Sequence, residues 1–345
     1  MKSKILATDA RADSSLITAR SPACRPLVSV IVNFLNAETF LQEAIKSVFS
    51  QAYDHWELLL VDDGSTDAST GIALRYAQQH PRKVRYLEHP GHQNRGTSAS
   101  RNLGVRKAAG KYIAMLDSDD IWLPHKLERQ VAILESHPEA AMTYGPAEWW
   151  YSWSENPEAG RRDFFQALET PPNSLVKPPA LLTLFLKREK EVPVPATILV
   201  RRDVMEHIGG WEESFRTLYD DQAFYAKLCL RAPVFVESEC YCRYRKHPDS
   251  LCAVMKRTGT RESARPTFLD WLDNYLSRHK AKNGELSRIL WKELWPYRYP
   301  ILCHWAERWR RLPVQAEELL RRIAARTLPA PARRWLRDRW RGHAG

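Results

Sequence analysis

The chain has 345 residues, of which 44% are hydrophobic and 27% charged, and a formal net charge of +11. That is enough chain for one large α/β domain with an appendage, or for two modest domains. Wholesale disorder is excluded, and no apolar run approaches the ~20 residues of a membrane-spanning helix. The positive charge calls for an anionic partner, whether nucleotide phosphate, nucleic acid or acidic membrane leaflet, without choosing among them.

Residues 1–26 lack the continuous apolar segment of a secretory signal and read as a flexible cytosolic leader. The six cysteines form no C-x-x-C pair and read as reduced thiols in that compartment. From residue 27, short β-rich runs alternate with helical patterns, the signal of a largely parallel sheet covered by helices. A strand at 27–32 is followed by a helix with Leu41, Ala44, Ile45 and Val48 on one face. A second strand at 57–62 precedes a helix at about 72–79, a strand at Val84–Glu88 and a helix at about 98–109, which Gly110 would close as a C-terminal cap. Tyr112–Asp117 is the next strand. Pro124 suits the first turn of a helix in which Leu127, Val131 and Leu134 share a face. One half of the domain closes near Gly145. Residues 146–194 carry Trp149, Trp150, Tyr151, Trp153 and two proline pairs, and are expected to be loops around a helix at about 180–190. A strand at 197–200, a short helix capped by Asp203 and ended by Gly209-Gly210, a helix at 221–230 and a strand at Val234–Val236 follow. Beyond residue 255 a helical tail rich in arginine and tryptophan takes over.

Acids gather where three of these elements meet loops. Asp62 and Asp63 leave a buried strand and turn through Gly64, and the C-terminal ends of parallel strands are where open α/β sheets bind ligands. Carboxylates there accept hydrogen bonds from a base N–H or a ribose hydroxyl, or act only as turn formers and caps. Leu116-Asp117-Ser118-Asp119-Asp120 crowds three acids at the end of another apolar strand, where they repel one another unless a cation holds them. Mg²⁺ takes one or two protein carboxylates and keeps water and substrate phosphates in its shell, which is what an Asp-x-Asp unit offers. Asp220 and Asp221 open a helix, where an acid taken alone reads as an N-terminal cap.

In this order and on these elements, the groups resemble glycosyltransferase family two. Its GT-A fold is α/β, a Rossmann-like, mixed and mostly parallel sheet with helices on both faces, here with a C-terminal helical extension at 256–345. The resemblance covers about residues 26–254. It rests on Val28-Ser29-Val30-Ile31-Val32, the turn at 36–38, Val61-Asp62-Asp63-Gly64-Ser65-Thr66-Asp67, Ser100-Arg101-Asn102-Leu103-Gly104, the Asp117 cluster, Gly209-Gly210-Trp211 and Asp220-Asp221. It implies a catalytic domain at 27–255, with a nucleotide-binding half at about 27–145 and an acceptor-binding half at about 146–255.

By that resemblance Asn33, Asn36, Glu38 and Asp63 contact the nucleotide, Asp62 supports them, and Arg101 lies nearby. Asp117 serves the ribose, Asp119 and Asp120 hold Mg²⁺ or Mn²⁺, and Asp221 stands where the family has its general base. Leu35 occupies a position where the family commonly has a tyrosine, which bears on base selectivity. The sequence lacks the Gln-x-x-Arg-Trp of processive members and so resembles a non-processive, bacterial-type one. His247, in Tyr244-Arg245-Lys246-His247-Pro248, resembles the family's final active-site stretch and is a further metal candidate, or else a turn histidine. Arg243 and Arg245 read equally well as solvated strand residues.

Trp149 and Trp150, with Trp211 and Asp220, are the acceptor candidates, because sugars stack on flat aromatic faces, although aromatics also fill cores. Trp291, Trp295, Trp305, Trp309, Trp335 and Trp340, interleaved with arginines, suit either peripheral contact with an anionic membrane or a helical cap on the domain. The chemistry implied is transfer of one sugar, with inversion, from a nucleoside diphosphate sugar of the UDP type to a hydroxyl of a glycan or lipid-linked acceptor. Cell-surface polysaccharide synthesis on the cytoplasmic side, with no nucleic acid partner, is the expected setting. The alternative is a catalytically inactive, membrane-associated scaffold of the same fold.

Overall fold

A computed structural model describes residues 25–154, 162–187, 191–281 and 284–303. Four parallel strands build one side of an eight-stranded sheet: β1 (Val28–Phe34), β2 (Trp56–Asp62), β3 (Val84–Glu88) and β4 (Tyr112–Asp117). The sheet runs in the order β3-β2-β1-β4-β10-β6-β11-β9. β10 (Leu199–Arg201) is antiparallel to both β4 and β6 (Met142–Tyr144). β11 (Val234–Val236) pairs parallel with β6 and antiparallel with β9 (Ser174–Val176). Because β10 inserts between β4 and β6, the two halves expected to divide near Gly145 share one sheet.

Both faces of the sheet are covered, which is why its strands read as continuous apolar runs. Alternate residues serve the two faces. Val30, Val32, Leu58, Leu60, Ala114 and Leu116 pack with α1 (Leu41–Phe49) and α4 (Lys126–Ser136). Ile31, Leu59, Val61, Ile113 and Met115 pack with α5 (Ala180–Lys187) and α7 (Asp220–Cys229). That second core continues into α9 (Thr260–Arg278) and α10 (Gly284–Arg298), which bury Phe268, Leu269, Leu272, Leu276, Leu286, Leu290 and Leu294. Residue 255 is therefore not a packing boundary. The tail residues Trp305, Trp309, Trp335 and Trp340, and all but the last two residues of the 1–26 leader, lie outside the described residues.

A smaller sheet, ordered β5-β12-β7-β8, stands beside the large one. It joins β5 (Ile121–Trp122), β12 (Cys242–Arg245), β7 (Glu148–Trp150) and β8 (Phe164–Phe165). Within 146–194, where loops are expected, β7, β8 and β9 are strands of two or three residues, too short to show a period.

Two expected caps differ. α3 (Thr97–Lys107) stops before an extended Ala108, and Gly110 does not cap it. A Cβ on Gly110 would lie 2.6 Å from the Ser29 backbone nitrogen and 2.7 Å from the Leu27 carbonyl, so this glycine permits a close backbone crossing. Asp203 sits inside the first turn of α6 (Arg202–His207), and Arg201 precedes the helix without a side-chain cap. Gly209 (φ +78°) and Gly210 (φ +59°) do close α6 in the left-handed region. Among the described residues no helix is long and apolar enough to cross a membrane.

Candidate active site

Register brings the site together. Asn33 of β1 is level with Asp117 of β4, and Phe34 with Asp62 of β2, so the acids leave the sheet along one edge. Gly64, at φ +85°, turns the chain so closely past the loop at 92–94 that a Cβ would lie 2.8 Å from the His92 carbonyl. Asp62, fully buried, accepts from the Ser65 N–H at 2.8 Å and the Thr70 hydroxyl at 2.5 Å. Asp63 accepts from the Arg95 N–H at 2.7 Å, the Gly96 N–H at 3.0 Å and the Ser100 hydroxyl at 3.0 Å.

The nucleotide candidates already hold partners within the protein. The Asp63 carboxylate orders the loop at 95–96 instead of facing outward. The Asn36 Oδ1 accepts from the Thr66 N–H at 2.7 Å, and the Glu38 Oε2 from the Ala68 N–H at 2.9 Å. Both side chains brace the loop after β1 against the loop after β2. Asn33 and Asp117 remain at the open edge.

Arg101 of α3 ties the edge together. Its guanidinium donates to Asp117 at 2.7 Å, to Asp220 at 2.5 Å and to the Asn33 Oδ1 at 3.3 Å. The guanidinium lies 4.3 Å from the centre of the Trp211 ring, which is stacked on Phe224 at 4.5 Å. Trp211 is 2% exposed and its backbone is clasped by Asn102 at both ends, at 2.8 and 3.0 Å. Trp211 is thus a buried support for Arg101 and offers no face to an acceptor. Asp220, also buried and paired with Arg101, likewise leaves the acceptor set.

Beside Asp220, the partly buried Asp221 lies in the first turn of α7, which starts after Tyr219, whose φ of +61° is unusual for a bulky residue. Stacking of Tyr219 on Phe268 of α9 at 5.1 Å holds that turn. Burial, then the adjacent Asp220 charge, pushes the Asp221 carboxyl up to about 7. Burial also raises Asp117 and Asp220, against the opposing pull of Arg101.

On the other side of Asp117, the Asp119 Oδ2 lies 3.2 Å from the His247 Nε2. Asp120 turns inward. Its Oδ1 accepts from the Arg245 N–H at 2.9 Å, its Oδ2 is buried without a partner, and burial raises its carboxyl well above the usual range. Asp119, Asp120 and His247 do not converge as three ligands, and among the described residues no group of three His, Cys, Asp or Glu side chains is arranged to hold a metal. One carboxylate with one imidazole still fits an ion that takes most of its shell from water and phosphate.

Arg245 is buried, not solvated. It donates to the Asp119 carbonyl at 2.7 Å and to Glu43 at 2.5 Å, and its guanidinium lies within 4.5 to 5.1 Å of the rings of Phe40, Trp150 and Trp153. Trp150 therefore holds Arg245. Trp149 lies between Phe164, stacked at 5.6 Å, and Lys246, 4.3 Å from its ring centre. Nothing local in the sequence marks Phe164 or shows that Arg245 is buried.

The fold is that of GT-A glycosyltransferases. TarS of S. aureus (residues 1–349, in complex with UDP) superposes with a TM-score of 0.58 at 17% identity, covering 85% of this chain and 78% of that one. The mannosyltransferase PcManGT from Pyrobaculum calidifontis, in complex with GDP-Man and Mn²⁺, superposes with a TM-score of 0.52 at 19% identity, covering 92% and 85%. In sequence, the protein named "Putative teichuronic acid biosynthesis glycosyltransferase TuaG" from Bacillus subtilis (strain 168) is 40% identical over 111 residues, 32% of this chain and 42% of that relative. The match thus spans about two fifths of the relative's length. The model of glycosyl transferase family 2 matches residues 29–209, more than half of the chain, and the chain belongs to that family.

Proposed function

We propose that this glycosyltransferase moves one sugar from a nucleoside diphosphate sugar, of the UDP type, to a hydroxyl of a glycan or lipid-linked acceptor, with inversion and with Asp221 as general base. The observation that carries the reading is the placement of Asp221 in the first turn of α7, next to the Asp220–Arg101–Asp117 ion pairs at the edge of the large sheet; burial there holds its carboxyl above the usual range. A base is most effective with a pKa near the working pH. Asp221 takes the proton of the attacking hydroxyl from the face opposite the nucleotide, so attack in line inverts the anomeric centre.

Asn33 and Asp117 receive the ribose and base, while Asp119 and His247 are the residues that would hold Mg²⁺ or Mn²⁺. A divalent cation there supplies positive charge to the diphosphate leaving group. The two similar structures, one in complex with UDP and one with GDP-Man and Mn²⁺, support the donor class. The name of TuaG supports cell-surface polysaccharide as the product, and a nucleotide-sugar donor fits the cytoplasm.

Asp221→Asn keeps the shape and removes the base. It is expected to lower kcat by about 10²–10⁴-fold, the usual worth of a positioned base, and to leave nucleotide affinity unchanged in a direct titration. Transfer at the wild-type rate would refute the assignment.

A further inference from the structure

His92 ties together two turns beside the donor edge. Its Nδ1 lies 2.7 Å from the Glu88 Oε2 at the end of β3, and its Nε2 lies 2.8 Å from the Ser65 carbonyl oxygen, in the turn between β2 and α2 (Ser69–Gln79). Both partners are acceptors: neither a carboxylate nor a backbone carbonyl has a proton to give. A neutral imidazole donates at one nitrogen and only accepts at the other, so it makes one of these bonds. The imidazolium, with a donor at each nitrogen, makes both.

These contacts belong to a closed ring of hydrogen bonds. The Tyr86 hydroxyl lies 2.8 Å from the Glu88 Oε2 and 3.2 Å from the Asp62 Oδ2, and the Asp62 Oδ1 accepts from the Ser65 N–H. Asp62 of β2 and Glu88 of β3 are the charges that act on the imidazole, and both are acids. Burial and the Glu88 carboxylate keep the Tyr86 phenol protonated, hence neutral, between them. The Ser65 carbonyl, then the Glu88 carboxylate, raises the His92 ring above its usual value, while Tyr86 and then His92 hold Glu88 below its own. Ser65 carries the effect to the donor side: its Oγ accepts from the Asn36 N–H at 3.1 Å, and the Asn36 Oδ1 accepts from the Thr66 N–H. Asn36, at φ +49°, lies in the turn directly after β1, the strand that brings Asn33 to the edge.

We propose that His92 is a positioning residue for the donor: as an imidazolium it clamps the turn after β2, through Ser65 and Asn36, in the form that binds the nucleotide, and its deprotonation loosens the clamp. The proposal rests on the transferase reading and adds a pH dependence to donor binding, separate from the acid limb in rate expected of Asp221. The sign follows from the raised ring: the clamp is complete below the usual histidine range and is lost as pH rises through the raised value.

The test measures UDP affinity of the full chain by calorimetry with Mg²⁺ from about pH 7 to about pH 9, above the phosphate pKa of about 6. Histidine ring C–H signals are followed by NMR from about pH 5 to about pH 9 without nucleotide. UDP affinity should fall about three- to fivefold across the window, the scale of a partly exposed ion pair, with the midpoint at which the His92 signal titrates. His92→Gln removes that signal and so tells it apart from His247, which stands between β12 and α8 (Leu251–Arg257). This variant should bind UDP at neutral pH as weakly as the wild type does at alkaline pH, with the donor KM raised and kcat kept. Glu88→Gln leaves the imidazole in place and removes the charge facing it, so both midpoints should move together to lower pH, a shift that lost packing alone does not produce. A His92 ring that titrates at or below about 6.5, a UDP affinity that ignores pH across the window, or a His92→Gln protein that follows the wild-type profile would each overturn the proposal. Binding of no nucleotide at any pH would overturn the transferase reading and this proposal together, whereas pH-independent binding removes this proposal alone.

Discussion

At the scale of single residues, Arg101 and Asp221 carry the proposed chemistry. Arg101 is a buried cation between the buried Asp220 and the partly buried Asp117, so removing it leaves both acids without their cation. Arg101→Met should cost about 3–5 kcal/mol of stability, read by urea unfolding. Arg101→Lys should recover only part of that, because an ammonium lacks the fork that reaches Asp117 and Asp220 together. For Asp221 the sign follows from its raised pKa. The base works deprotonated, so kcat should rise with pH up to about 7 and level off above it. A wild-type profile flat from pH 5 to 8, or an acid limb that persists unchanged in the residual activity of Asp221→Asn, would contradict that role. Tyr219, at positive φ, fixes where α7 begins and so where this carboxyl stands.

Elements carry these residues to one edge, and how far that was legible depends on range. Asp62, Asp117 and Asp221 stand where apolar strands end or a helix begins, and a local pattern reveals such places. Arg245 could not be read that way, because its carboxylate partner Glu43 lies 202 residues away, and a lone arginine in a strand looks solvated. Trp211 was misjudged for a related reason, since composition names an aromatic ring without saying which way its face points. Asn36, Glu38 and Asp63 follow the family's pattern, and each also accepts from a backbone N–H group of a neighbouring loop, which no local pattern reveals. Gly110 shows the same limit: it sits where a helix cap belongs but serves β1. Gly110→Ala should destabilise the protein by about 1–3 kcal/mol through overpacking, because the Cβ would meet backbone atoms at 2.6 and 2.7 Å. Unchanged thermal unfolding would show that the crossing can widen.

At the scale of the molecule, α9 and α10 extend the core that includes Trp211, and α9 braces Tyr219, so the C-terminal helices support the edge where the proposed site lies. In the proposed site the larger sheet gives Asn33 and Asp117 to the donor side, with Asp119 just past β4, while the smaller sheet gives Arg245, with His247 just past β12. Asp221 closes the remaining side. Such a site should bind a nucleoside diphosphate only when a divalent ion offsets the charge of Asp117 and Asp119. The direct test is calorimetric titration of the protein with UDP, GDP, dTDP and CDP, with and without Mn²⁺, alongside Asp119→Ala and Asp221→Asn. The account predicts metal-dependent binding of one nucleotide, UDP, lost in Asp119→Ala and retained in Asp221→Asn. Binding of no nucleotide, or binding that ignores both the metal and Asp119, would contradict it.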